Sequence, residues 1–243
     1  MKVGEKNAII TPKEGNQMKI IAKIHNDFKE KFGIPRQSGL SGELTSRIVF
    51  EPEYRNPDAL RGIDGFSHLW LIWEFSEAKR DVWSPTVRPP RLGGNKRVGV
   101  FATRSPYRPN PIGLSSVRLV EIEHTESEGD VLIVSGADLL DGTPIYDIKP
   151  YISYSDCHTD AVCGFADPVK NYALKVDICK DLLSKVHISK QKALLLILEQ
   201  DPRPSYQNDP KREYGMRFSD YEIFFKVDGD TLTVTRIETV KEA

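Results

Sequence analysis

The pattern of apolar and polar positions divides the chain in two. Through residues 18–155 the apolar positions fall in short runs rich in β-branched and aromatic side chains. Residues 18–24 (MKIIAKI), 44–50 (LTSRIVF), 66–75 (FSHLWLIWEF), 115–122, 131–135 and 144–148 each predict a β-strand, with Gly, Pro, Asp and Glu between them. The run at 66–75 is too apolar on both faces for a surface strand and is placed centrally. Residues 56–60 predict a single helical turn and residues 98–102 a short extended piece. From about residue 154 the pattern changes. Residues 189–200 (SKQKALLLILEQ) predict a helix, with Ser189 as N-cap and a stop at Asp201-Pro202. Residues 221–227 and 231–237, joined by Asp228-Gly229-Asp230, predict a hairpin. The fold expected is mainly β with an α+β tail. Residues 1–17 are expected to form a flexible leader, 18–155 a small β-barrel or closed sheet and 156–243 a small α+β domain.

Residues 79–114 break the pattern. They hold Pro85, Pro89, Pro90, Pro106, Pro109 and Pro111, so neither a helix nor a long strand fits. A long irregular stretch inside a compact domain marks function or disorder, and proline lowers the entropy cost of holding such a loop ready.

Composition makes the chain an ordinary globular one: 243 residues, 39% hydrophobic and 28% charged. The longest apolar run, residues 193–198, is far short of the ~18 needed to cross a bilayer, and residues 1–10 lack an apolar signal region. No membrane partner and a cytoplasmic location are expected. Cys157, Cys163 and Cys179 form no C-x-x-C pair and read as partly buried free thiols.

The net charge of −1 hides a split. Residues 1–120 hold 20 Lys+Arg against 12 Asp+Glu, a net of +8, whereas residues 121–243 hold 14 against 23, a net of −9. The irregular window 79–108 contains eight basic residues, six of them Arg, and only Asp81 as an acid. Arg predominates where phosphate or carboxylate is gripped in fixed geometry, so the window suggests a polyanion partner; a solvated basic loop is the plain alternative.

No G-x-G-x-x-G follows a strand and no Walker A motif is present, which excludes the ordinary dinucleotide and P-loop sites. Ser67-His68 lacks a nucleophile elbow, and His68 reads as a satisfied core histidine. Cys157-His158 with Cys163 has no metal-ligand spacing, so no metal is expected.

Three segments concentrate other chemistry. They are Ile34-Pro35-Arg36-Gln37, the block from Arg88 through Thr103-Arg104-Ser105-Pro106-Tyr107-Arg108-Pro109-Asn110-Pro111-Ile112-Gly113-Leu114, and Asp138-Leu139-Leu140-Asp141-Gly142-Thr143-Pro144. Together with residues 64–70 (DGFSHLW) and 200–206 (QDPRPSY), these resemble the TsaA/TrmO family over about residues 18–240. Taken singly, Asp141-Gly142-Thr143-Pro144 is an ordinary β-turn and Pro109-Asn110-Pro111 a rigid corner. The ordered set carries the resemblance.

The resemblance implies a TsaA-like barrel acting as a homodimer. It implies methylation of N6 of N6-threonylcarbamoyladenosine, at position 37 beside the tRNA anticodon, with S-adenosylmethionine as methyl donor. It assigns donor contacts to Arg36, Gln37, Glu77, Ala78, Arg104, Leu114, Leu139, Leu140, Asp141 and Gly142. Leu114 and Leu139 would cover the adenine, and Arg104 would face a carboxylate. For the chemistry itself, Asn110 and Tyr107 are candidate orienting groups and Asp147 a candidate base. Arg88, Arg91, Lys96, Arg97 and Arg108 are the candidate RNA contacts at the anticodon loop. Two other classes compete: an RNA-binding module without chemistry, and an S-adenosylmethionine-binding partner protein.

Overall fold

The computed structural model describes residues 18–240 apart from 36, 40–43, 79–81, 90–91, 93–95, 170–171, 204–206 and 208. The leader, Arg36 and Arg91 lie outside the described residues.

Strands β1 (Ala22–His25), β2 (Thr45–Phe50), β3 (His68–Glu74), β6 (Ile112–Thr125), β7 (Gly129–Ser135) and β8 (Pro144–Pro150) pair in a ring, in the order β1-β2-β7-β6-β3-β8. All these pairings are antiparallel, and Ala22 beside Ile145 closes the ring into a barrel. Alternation explains the closure. On β3, Leu69, Leu71 and Trp73 point inward while His68, Trp70 and Ile72 point outward. The interior is filled by Ile24, Ile48, Leu69, Leu71, Leu132 and Ile145, all fully buried, each stabilising the fold by about 1.5–3 kcal/mol relative to exposure. Strands β4 (Thr86–Val87) and β5 (Val98–Gly99) form a small ribbon outside the ring.

The second half begins with the short helix α1 (Ser153–Asp156) and carries a four-stranded sheet. Its order is β10 (Tyr214–Phe218), β11 (Tyr221–Asp228), β12 (Thr231–Thr239), then β9 (Lys175–Asp177), which runs parallel to β12. Helices α2 (Lys180–Leu183) and α3 (Ile188–Glu199) accompany it, and α3 buries Ala193, Leu194, Ile197 and Leu198 in the same core as Phe218, Phe225 and Leu232.

The segment after β1 belongs to both halves. Phe28 is buried in the second core, with Phe32 and Ile34 packed against it. Gly33, at φ +96°, approaches Met216 so closely that a Cβ would meet its Sδ at 2.7 Å. Lys190 Nζ on α3 bridges to Asp27 Oδ1 at 2.9 Å. The segment that reaches the barrel rim is therefore braced by the C-terminal sheet and helix.

Several expectations are corrected. β1 starts at Ala22 rather than residue 18, and β6 starts at Ile112 because Ile112–Leu114 pair with Ile72–Glu74. Strands β9 and β10 lie outside the elements expected from the sequence. Ser189 does not cap α3: His187, with non-helical backbone at φ −53° and ψ 136°, occupies that position, and Ser189 Oγ meets His187 Nδ1 at 2.7 Å. His68 is not a core histidine. The alternation of β3 turns it outward, against Ser67 Oγ at 2.9 Å. All three cysteines are exposed rather than partly buried.

Candidate active site

The β3–β6 and β3–β8 registers bring the end of β3, the start of β6 and the start of β8 to one rim of the barrel. A cavity of about 630 Å³ opens there. One wall is the end of β3, with Trp73, Glu74 and Phe75, continuing into the 3-10 turn Ser76–Ala78. A second is the proline-rich loop with Thr103, Arg104 and Tyr107, running into Gly113 and Leu114. A third is the loop after β7, with Asp138 and Leu140; Ile34, Pro35 and Gln37 complete the lining.

Local chemistry fixes these walls. Arg108 Nη1 donates to the carbonyl of Thr103 at 3.1 Å, and Thr103 Oγ1 donates to that of Val100 at 2.8 Å, so the loop is tied to itself. Arg104 Nη1 donates to Gln37 Oε1 at 2.6 Å, joining two walls across the cavity. Lys31 Nζ and Glu77 Oε2 lie 3.1 Å apart at the mouth. The loop after β7 is held from behind. Asp141 accepts from the Asn26 N–H at 2.9 Å and from Lys29 Nζ at 2.8 Å, and Asn26 Nδ2 donates to the Leu139 carbonyl at 2.8 Å.

The floor is polar and directional. Trp73 Nε1 donates to Ser115 Oγ at 2.9 Å, and Ser115 Oγ donates to Asp138 Oδ1 at 2.5 Å. Burial pushes the Asp138 carboxyl above the usual carboxylate range. The Ser115 hydroxyl, its own backbone N–H, the Arg104 charge and the Ser38 N–H offset this only in part. Nearby, burial and a hydrogen bond to Glu74 push the Tyr146 phenol up to about 12. At Asp141, burial pushes the carboxyl up, but Lys29, the Asn26 N–H and His25 outweigh it and hold the group below its ordinary value.

Of the residues singled out from sequence, Gln37, Glu77, Ala78, Arg104, Leu114 and Leu140 line the cavity, as do Tyr107 and Asn110. Leu139 does not: it is fully buried in the barrel interior, where the inward alternation continues past β7. Asp141 and Gly142 lie behind the wall, where Asp141 anchors the loop. Asp147 sits on β8 outside the cavity lining, paired with Lys149 at 2.7 Å. Among the basic residues, Arg88 and Lys96 are exposed, and Arg97 is exposed while donating to Thr86 Oγ1 at 3.0 Å. Arg108 is committed to the Thr103 and Ser105 carbonyls.

Trp73, Glu74 and Ser115 join the site without having been singled out from the sequence, and Asp138, quoted there only as the start of the third segment, joins it with no role assigned. The serine pair Ser115-Ser116 at the start of a strand-like run, and an Asp ahead of an apolar pair, are the signals the sequence offers for two of them.

Two family models cover most of the chain: the tRNA-methyltransferase O N-terminal domain matches residues 23–157, and the TrmO C-terminal domain matches residues 172–240. The chain belongs to the TrmO family. It is 38% identical over 231 residues to the Escherichia coli (strain K12) protein named tRNA (adenine(37)-N6)-methyltransferase, covering 91% of this chain and 97% of the relative. It is 41% identical over 211 residues to a Pseudomonas aeruginosa protein named putative S-adenosylmethionine-dependent methyltransferase RcsF, covering 84% and 89%. The crystal structure of TrmO from Pseudomonas aeruginosa superposes with a TM-score of 0.74 at 33% identity, covering 96% of this chain and all of that one. The TrmO N-terminal match spans all three walls of the cavity, and the C-terminal match spans the sheet that braces the 28–34 segment.

Proposed function

We propose that this protein methylates N6 of adenosine 37 in tRNA with S-adenosylmethionine as methyl donor, and that the substrate base is N6-threonylcarbamoyladenosine. The observation that carries this reading is the cavity. Separate segments of a TrmO chain converge on one space of about 630 Å³, inside the range of small-molecule sites.

The residues present fit the donor. Leu114, 57% exposed, and Leu140 offer apolar surface to a nucleobase. Arg104, held by Gln37, offers a guanidinium to a carboxylate, either the donor's or the threonyl group's. Gln37 supplies a further polar group. When bound, the donor supplies an activated methyl on a sulfonium. The protein's part is to hold the acceptor nitrogen in line with that methyl and to exclude water.

Tyr107, 42% exposed at the rim, is placed to stack a base splayed out of a loop, and Asn110 lines the same edge. Arg88, Lys96 and Arg97 add exposed positive charge in the same proline-rich stretch, to which Arg91 adds in sequence. The exposed apolar side chains of Val82, Trp83 and Phe101 support a homodimer, and a tRNA substrate supports a cytoplasmic location. The closed sheet is then the TsaA-like catalytic unit.

Labelled methyl transfer into bulk tRNA from cells lacking the protein tests the reading. Incorporation that requires S-adenosylmethionine and the protein is expected; none would overturn it.

A further inference from the structure

We propose that Asp138 is the general base of this methyl transfer, taking the N6 proton of the target adenosine, and that Ser115 and Trp73 are the positioning residues that hold its carboxylate. The inference rests on the functional reading above and deepens it.

The chemistry demands such a group. The N6 nitrogen of a threonylcarbamoyl adenosine bears one hydrogen, and its lone pair is delocalised into an amide-like carbonyl. It becomes a competent nucleophile only as that proton leaves. The base must reach the cavity, must be able to accept, and must be fixed.

Asp138 meets all three conditions. It lines the cavity together with Arg104, Tyr107 and Leu114. The direction of its hydrogen bonds is forced. An indole N–H only donates, so Trp73 Nε1 occupies an acceptor site on Ser115 Oγ; a carboxylate only accepts, so the Ser115 proton goes to Asp138 Oδ1. The relay begins at a buried tryptophan and ends on the carboxylate. Trp73 is itself locked, because Gly113 is its ladder partner and a Cβ there would meet the indole at 2.2 Å. A carboxylate held this way keeps one geometry through the reaction.

The electrostatics favour the same step. As the N6 lone pair forms the N–CH3 bond, the N6 proton passes to the Asp138 carboxylate. The C–S bond breaks with its electron pair left on sulfur, so the sulfonium becomes a neutral thioether and the carboxylate a neutral acid. The acid later returns its proton to solvent. One positive and one negative charge disappear together, which a poorly solvated pocket favours. Burial, which raises the proton affinity of Asp138, works in this direction.

Among the described residues, the other two carboxylates of the lining are paired elsewhere. Glu77 is exposed and paired with Lys31. Glu74 accepts from the Tyr146 phenol. Arg104 and Arg108 are cations, and Arg104 is the charge that acts on Asp138. Asn110 has no proton-accepting carboxylate. Asp147, the base suggested by sequence, lies outside the lining.

The experiment compares the full-length wild type with Asp138→Asn and Ser115→Ala, using S-adenosylmethionine and tRNA carrying the threonylcarbamoyl group. Calorimetry follows donor binding, and single-turnover rates follow chemistry across pH. The indole N–H resonance of Trp73, assigned with Trp73→Phe, follows protonation of Asp138 without turnover. In Asp138→Asn, donor affinity is expected to hold while the rate falls by about 10²–10⁴-fold. The low-pH limb of wild-type kcat/KM disappears with it. Ser115→Ala moves that limb to higher pH, because the hydroxyl holds the Asp138 pKa down. The Trp73 resonance shifts with pH in wild type and stays flat in Asp138→Asn. An Asp138→Asn enzyme that methylates at the wild-type rate overturns the proposal, as does a loss confined to donor binding. Wild-type protein that methylates no such tRNA overturns the functional reading itself, and the base assignment falls with it.

Discussion

Gly113 and Trp73 are ladder partners on β6 and β3, and a Cβ on Gly113 would lie 2.2 Å from the Trp73 indole. The indole thus lies directly over the strand backbone, which brings its N–H to Ser115. Gly113→Ala forces either the indole or the ladder to move. The expected cost is about 1–3 kcal/mol of stability, read by denaturant unfolding. Weaker binding of S-adenosylmethionine, read by calorimetry, accompanies it. Wild-type values for both would show that the close approach is not needed.

Arg104→Ala is expected to fold normally, since the guanidinium is exposed and its hydrogen bond goes to Gln37 at the rim rather than into either core. It should weaken donor binding or raise KM for tRNA. Unchanged methyl transfer would remove Arg104 from the site. The same variant removes a cation acting on Asp138, so the low-pH limb of the rate should move to higher pH.

Asp201 and Arg203 form a buried two-point pair, at 2.8 Å (Nε to Oδ1) and 3.0 Å (Nη2 to Oδ2), with the Tyr172 hydroxyl donating to Oδ2 at 2.9 Å. Burial pushes the Asp201 carboxyl up, but Arg203 and Tyr172 outweigh it and hold the group below its ordinary value. Its stabilisation is therefore complete above the unfolded value of about 4 and is lost as pH falls through the lower folded value. Asp201→Asn should cost about 3–5 kcal/mol at neutral pH. Thermal melts should show the gap between variant and wild type closing at acid pH. A gap that widens there would have the sign wrong.

The exposed basic residues Arg88 and Lys96 are expected to meet RNA phosphates. Replacing both with Ala should lower tRNA affinity and flatten the plot of log affinity against log salt by about 0.7–0.9 for each phosphate no longer neutralised. An unchanged slope would place them off the RNA surface.

The strand-rich first half and the hairpin of the second were legible because alternation and turn residues are local signals. The ribbon residues Thr86 and Val87 were hidden among prolines, and β9 was too short to announce itself. The site was legible where it is written contiguously, as in the run from Thr103 to Leu114. Leu139 and Asp141 fall outside the cavity lining because one loop alternates between the cavity, the barrel interior and an anchor on Lys29. Asp138, Ser115 and Trp73 come from three elements, and only the barrel registers bring them together. Their sequence spacing carries no trace of that.

The central claim is tested most directly by nucleoside mass spectrometry. The protein and S-adenosylmethionine are incubated with tRNA that carries the threonylcarbamoyl group at adenosine 37, and with the same tRNA lacking it. A methylated threonylcarbamoyladenosine in the first sample, and no methylated adenosine in the second, is the predicted result. Equal methylation of both, or of neither, would contradict the account.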